Sequence, residues 1–109
     1  MEKIVKANIV ARSASREPGE QAVELFIGDG FACTAAYVQQ QQSYIIKAEV
    51  NQLLIVADGS GELALQDGGQ VADLPLMKGD FITLAKGGVY EVTNLSTALL
   101  VLGLCTARD

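Results

Sequence analysis

An all-β fold, a barrel or sandwich of two packed antiparallel sheets, is what this 109-residue sequence predicts. Three observations carry that prediction. Apolar residues recur with period two along most of the chain, which is the signature of half-buried strands. No stretch carries a helical period. Glycine-rich turn signals break the chain roughly every 8–12 residues, as they do in sandwiches and barrels. The length suits one domain, since single cores commonly span about 100–200 residues.

The elements follow in order. At the N-terminus Ile4 alternates with Lys3 and Val5, and Ile9 and Val10 follow, so the strands are expected to start near residue 3. Arg12 to Glu20, RSASREPGE, is a polar loop with a Pro-Gly pair, a strong turn signal. AVELFI and FACTAAYV, joined through Gly28-Asp29-Gly30, make a hairpin. The four glutamines Gln39–Gln42 read as a solvated connection. Further strands are SYIIKAE, QLLIVA, GELALQ, FITL, VYEVT and ALLVLGL. They are separated by turns at Asp58-Gly59-Ser60-Gly61, Asp67-Gly68-Gly69, Lys78-Gly79-Asp80 and Gly87-Gly88. The count is about nine or ten strands, all in a single domain over residues 1–109.

Alternation also assigns faces. Tyr44, Ile46, Ala48 and Val50 lie opposite Ile45, Lys47 and Glu49, so the even side faces inward. Tyr90 and Val92 share a face opposite Glu91 and Thr93. Leu53–Ala57 is apolar on both faces and needs cover on both, the second cover being expected from another subunit.

Composition excludes several functions. The net charge is −5, and eight Lys and Arg are scattered along the chain. Phosphate backbones require clustered positive charge, so nucleic acid is not an expected partner, nor is an anionic membrane. The longest apolar run, ALLVLGLC, is far short of the roughly 18 residues that cross a bilayer. MEKIVKANIV places Lys6 and Asn8 where a signal peptide would be apolar, so the expected setting is soluble and cytoplasmic. Cys33 and Cys105 stand in separate apolar runs and read as unbridged thiols.

The segment Lys78 to Asn94, KGDFITLAKGGVYEVTN, resembles the second motif of the cupin family. That motif is a Gly, a Pro, a Gly, a His and an Asn at fixed intervals. Here the corresponding positions are Gly79, Ala85, Gly87, Tyr90 and Asn94, so three of five match. The first motif is two His, a Glu and a Gly. Gly59 fits the glycine, Gln52 stands at the Glu, and Ile46 and Ala48 stand at the histidines, because they belong to the inward face. The resemblance covers roughly Tyr44 to Leu104. It implies a cupin-like double-stranded β-helix, or jelly-roll barrel, with compatible N-terminal strands over residues 3–38.

The family's metal chemistry is not implied along with the fold. The chain contains no histidine. Two hydrocarbons, an amide and a phenol cannot replace neutral imidazoles and a carboxylate. Neither a metal nor another cofactor is expected, and no catalytic residue is assigned. No Ser-His or Cys-His pair exists to make a nucleophile, and no phosphate-binding loop is recognisable. What remains is a pocket lined by Tyr44, Ile46, Ala48, Gln52, Leu54, Tyr90 and Val92.

Each of these residues also has an ordinary structural reading. Tyr90 and Gln52 serve equally to contact a ligand or to satisfy one another inside a filled core. Tyr44 packs or lines a ligand. Lys47 and Glu49 read as an outward, solvated pair, and Glu91 as solvated. Asp80 is expected to bond the backbone of its own turn, and Asn94 to support a strand end. Three functions stay open. The first is a metal-free, non-catalytic binder of a small apolar or acidic metabolite inside the barrel. The second is a metal-independent isomerase, epimerase or lyase using Tyr90. The third is a structural homodimer with a filled barrel, and dimerisation is expected under all three.

Overall fold

A computed structural model describes residues 3–14, 22–28, 30–65 and 73–106. In chain order the elements are α1 (Lys6–Ala14), β1 (Ala22–Ile27), β2 (Phe31–Gln39), β3 (Ser43–Lys47) and β4 (Gln52–Asp58). They continue with β5 (Ser60–Leu65), β6 (Asp73–Met77), β7 (Phe81–Leu84), β8 (Val89–Asn94) and β9 (Ala98–Thr106). A five-stranded sheet runs β1-β2-β9-β4-β7, and a four-stranded sheet runs β3-β8-β5-β6. All pairings are antiparallel. This is the all-β architecture that the period-two pattern predicts.

The inward faces meet in one core built around Leu54, Val56, Leu76, Leu84, Val92 and Leu99. Every one of these side chains is essentially removed from water. The inward assignment of Ile46 and Ala48 holds, and Lys47 and Glu49 are exposed. Tyr44 packs against the same core.

The first segment corrects the sequence reading. Lys6–Ala14 is an α-helix and not a strand. Its Ala and Arg content favours helix, but a nine-residue helix is marginal by itself and needs tertiary packing. That packing comes from Ile9, which is buried in a second cluster with Ala35 and Leu100 on the outer face of the larger sheet. Leu25, Tyr37, Ala57 and Leu102 pack around them. The helix therefore supplies the cover over Ala57 that the sequence reading assigned to another subunit. At the other end of the same strand, Leu53 remains half-exposed.

One strand is unexpected. β6 carries Pro75, and it lies at an edge of the four-stranded sheet, where a missing N–H is tolerated. The turn read at Asp67-Gly68-Gly69 lies outside the described residues, as do most of the Arg12–Glu20 loop and Asp29. The other turns behave as read. Gly59, Gly79 and Gly87 have φ of 86°, 93° and 91°, a region open to glycine and strained for other residues. These are the three glycines on which the motif resemblance rests. At Gly59 a Cβ would also run into the Ala98 carbonyl. Asp80 accepts a 2.8 Å hydrogen bond from the Met77 N–H, closing its own turn as expected.

Candidate functional site

The positions of the motif's ligands, Ile46, Ala48, Gln52 and Tyr90, converge at one end of the barrel. β3 and β8 pair so that Ile46 stands directly opposite Tyr90. Ala48, just beyond β3, donates from its N–H to the Gly88 carbonyl and accepts from the Gly87 N–H, at 3.0 and 2.7 Å. Gln52 opens β4 and pairs with Leu84 on one side and Cys105 on the other. The order of strands therefore gathers residues far apart in sequence around one rim.

Inside that rim the barrel is filled. Tyr44, Ile46, Gln52 and Leu54 face Thr34 and Gly103 across a void of only about 10 Å³. That is no more than the space of a single water. Val92 is fully buried in the core, and Ala48 is buried too but lines neither this void nor the two larger spaces described below. Burial pushes the Tyr44 hydroxyl above its ordinary value of 10.0, so it stays protonated.

Tyr90 is different. Its hydroxyl oxygen accepts a hydrogen bond from the Ala85 N–H at 2.9 Å. A proline at position 85 has no N–H to give. The two departures from the motif, Ala for Pro and Tyr for His, are thus one physical unit. Asn94, which keeps the motif residue, is buried and donates to the Val38 carbonyl of the opposite sheet at 2.9 Å. Its carbonyl oxygen accepts from the Ser96 N–H and hydroxyl, at 2.8 and 2.9 Å. It supports the fold, as the sequence reading expects.

Outside the filled interior lie two larger spaces. A groove of about 760 Å³ runs over the rim, with Gln52, Leu84 and Tyr90 on its inner side and Leu53, Thr83 and Leu104 on its outer side. Its wall is mostly apolar, with a few amide and hydroxyl groups. Asn51 in this wall is held by a 2.8 Å bond accepted from the Lys86 N–H. A second space, about 460 Å³, opens between Glu24, Thr34, Lys47, Glu49 and Gln52 at the mouth. Gln52 lines all three spaces.

Of the residues nominated from sequence, Gln52 and Tyr90 reach the groove, while Ile46, Leu54 and Val92 are core. Leu53, Thr83 and Leu104 were missed, because they face outward on three strands whose adjacency no local pattern reveals. Lys47 and Glu49 are solvated as read, but they also border the mouth. The cysteines are free, and both are half-buried. Burial, and then the nearness of Cys105, pushes the Cys33 thiol above its ordinary value, so it is a poor nucleophile.

The donors at the rim do not fit the metal site of the cupin fold. Ile46 and Ala48 offer only hydrocarbon, and neither the Gln52 amide nor the Tyr90 phenol is a strong ligand. Among the described residues no three of His, Cys, Asp and Glu come together.

Two antiparallel sheets in this order, closed by glycine turns at the motif positions, define the cupin double-stranded β-helix. Solved structures bear out that fold. A cupin domain from Bordetella pertussis Tohama I is 15% identical over 85% of this chain and 98% of that one, with a TM-score of 0.69. An RmlC-like cupin family protein with a double-stranded β-helix fold, from Methanocaldococcus jannaschii, is 13% identical over 78% and 77%, with a TM-score of 0.68. The DMSP lyase DddQ from Ruegeria pomeroyi DSS-3 is 16% identical over 81% of this chain but only 46% of its own, with a TM-score of 0.67. At such identities the likeness is one of fold, and the fold is shared with an enzyme. No family model matches the chain, and no curated protein matches it by sequence.

Proposed function

We propose that this chain binds a small, largely apolar ligand in the groove at the barrel rim, without metal and without catalysis. One observation carries the reading: an open space of about 760 Å³ whose apolar wall includes Gln52 and Tyr90. Small-molecule sites commonly occupy roughly 300–1,000 Å³ and combine apolar walls with a few polar groups. The filled interior moves the expected site outward from the barrel axis to its end.

The test is a melting screen of untagged protein against apolar metabolites, organic acids, sugars, nucleotides and divalent metals. A ligand at 100 times its Kd raises stability by about 2.7 kcal/mol, several degrees for a domain of this size. A shift with apolar compounds that Thr83→Trp removes supports the groove. A shift with a metal alone overturns the reading.

A second reading, a homodimer resting on the same face, is favoured by Phe81, which is 68% exposed, and by its neighbour in the outer-face register, Ile55. A dimeric mass by light scattering at micromolar concentration is the expected result, and a monomeric mass removes this reading.

A further inference from the structure

Two polar side chains of the groove are anchored by consecutive backbone N–H groups. Asn51 Oδ1 accepts from the Lys86 N–H at 2.8 Å, and the Tyr90 hydroxyl accepts from the Ala85 N–H at 2.9 Å. Both side chains line the groove. A backbone N–H donates and never accepts, so each bond fixes the polarity of the group it holds. The Asn51 amide must turn its oxygen to the Lys86 N–H and keep its NH2 free, and the phenol must aim its own proton elsewhere. Neither the Asn51 NH2 nor the Tyr90 O–H has an acceptor among the described residues. Gly88 makes room for the phenol, because a Cβ there would stand 2.7 Å from the hydroxyl oxygen.

The other polar groups of the wall set no preference. Gln52, Thr83 and Thr106 each donate and accept, and the Cys105 thiol does both weakly. Among the described residues, none that lines the groove is Asp, Glu, Lys or Arg. Lys86 is exposed and does not line it.

We propose that the ligand's polar group is an uncharged hydrogen-bond acceptor, a carbonyl, ether or ring nitrogen, set against the Asn51 NH2 and the Tyr90 O–H. Its apolar body lies along Leu53 and Leu104. This rests on the proposed binding function and adds to it the class of ligand. A group that only donates would leave those hydrogens and its own without partners, whereas an acceptor satisfies them. A charged acceptor would leave water with no counter-ion in the wall.

Three fused bicyclic probes separate the cases at neutral pH: quinoline, which only accepts, indole, whose ring N–H only donates, and 2-naphthoate, a charged acceptor. Their Kd values come from the shifts of backbone amide resonances, which also show whether Leu53, Thr83 and Leu104 respond. Quinoline is expected to bind about fivefold more tightly than indole, the worth of one net hydrogen bond, and more tightly than naphthoate. Asn51→Asp keeps an oxygen for the Lys86 N–H but replaces the NH2 with a second acceptor. It should reverse the order of quinoline and indole, and the same amide spectrum shows that the fold is kept.

The outcomes differ by what they overturn. Equal binding of quinoline and indole, tighter binding of indole, or a preference for quinoline unchanged by Asn51→Asp overturns the acceptor inference and leaves the groove as a site. Naphthoate binding more tightly than quinoline, with the advantage lost in Lys86→Gln, places an ion pair at Lys86 and likewise overturns the inference alone. No binding by any probe, or shifts confined to residues away from the groove, overturns both the inference and the binding function.

Discussion

Tyr90 and Ala85 show how a substituted motif residue finds a new partner. The phenol oxygen takes the Ala85 N–H, a donor that a proline would lack. Tyr90→Phe is expected to cost about 1 kcal/mol by denaturant unfolding, the net value of one hydrogen bond. Any turnover lost with it, for a substrate found later, would point to Tyr90 as an acid or base. Asn94 matters more to stability, because it ties β8 to β2 from a buried position. Asn94→Ala takes the side-chain partner from the Val38 carbonyl and the Ser96 N–H, while the Ser96 hydroxyl keeps the Ala98 carbonyl at 2.9 Å, and a loss of about 2 kcal/mol is expected. Tyr44 gives a pH signature. Its folded pKa is raised by burial, so its stabilising effect is full below 10.0 and falls as pH rises above that value. Unfolding followed between pH 9 and about 11.5 should show this loss, and Tyr44→Phe should lessen it.

Among the elements, α1 was illegible and the strands were not. Among its described side chains only Ile9 and Ser13 lie deep against the sheet, one turn apart, too few to register as a helical period. The same residues satisfy a period-two reading just as well. Packing decided between them, since the helix covers Leu100 and Ala35 on a face that otherwise meets water. Ile9→Ala is expected to cost about 2 kcal/mol and to expose that face, read as lower denaturant midpoint and raised dye binding. The exposed Lys6–Asp58 pair, at 2.6 Å, joins the start of α1 to the end of β4 but contributes little in water. By contrast, β4, β8 and their turns were readable, because Gly59, Gly79 and Gly87 need backbone angles that few residues other than glycine adopt readily.

For the molecule as a whole, the fold was legible and the site only partly so. Turn glycines and alternation are local signals, and they survive the loss of the metal ligands. A cavity is not local. The rim groove needs Leu53, Thr83 and Leu104 side by side, and that neighbourhood exists only because β9 and β7 flank β4. Nor does alternation distinguish a hollow barrel from a solid one. The side-chain volumes around Gly103 and Thr34 fill it, and sequence spacing carries no measure of that fit.

The place of β9 has a consequence for how this chain is made. It is the last of the described strands and the middle strand of its sheet, between β2 and β4. While a ribosome is still extending the chain, β2 and β4 are already outside with open edges and no neighbour to join them. The large sheet cannot close gradually from the N-terminus. It forms only once β9 emerges and slots between the β1-β2 and β4-β7 pairs, so until then β2 and β4 each keep one edge open.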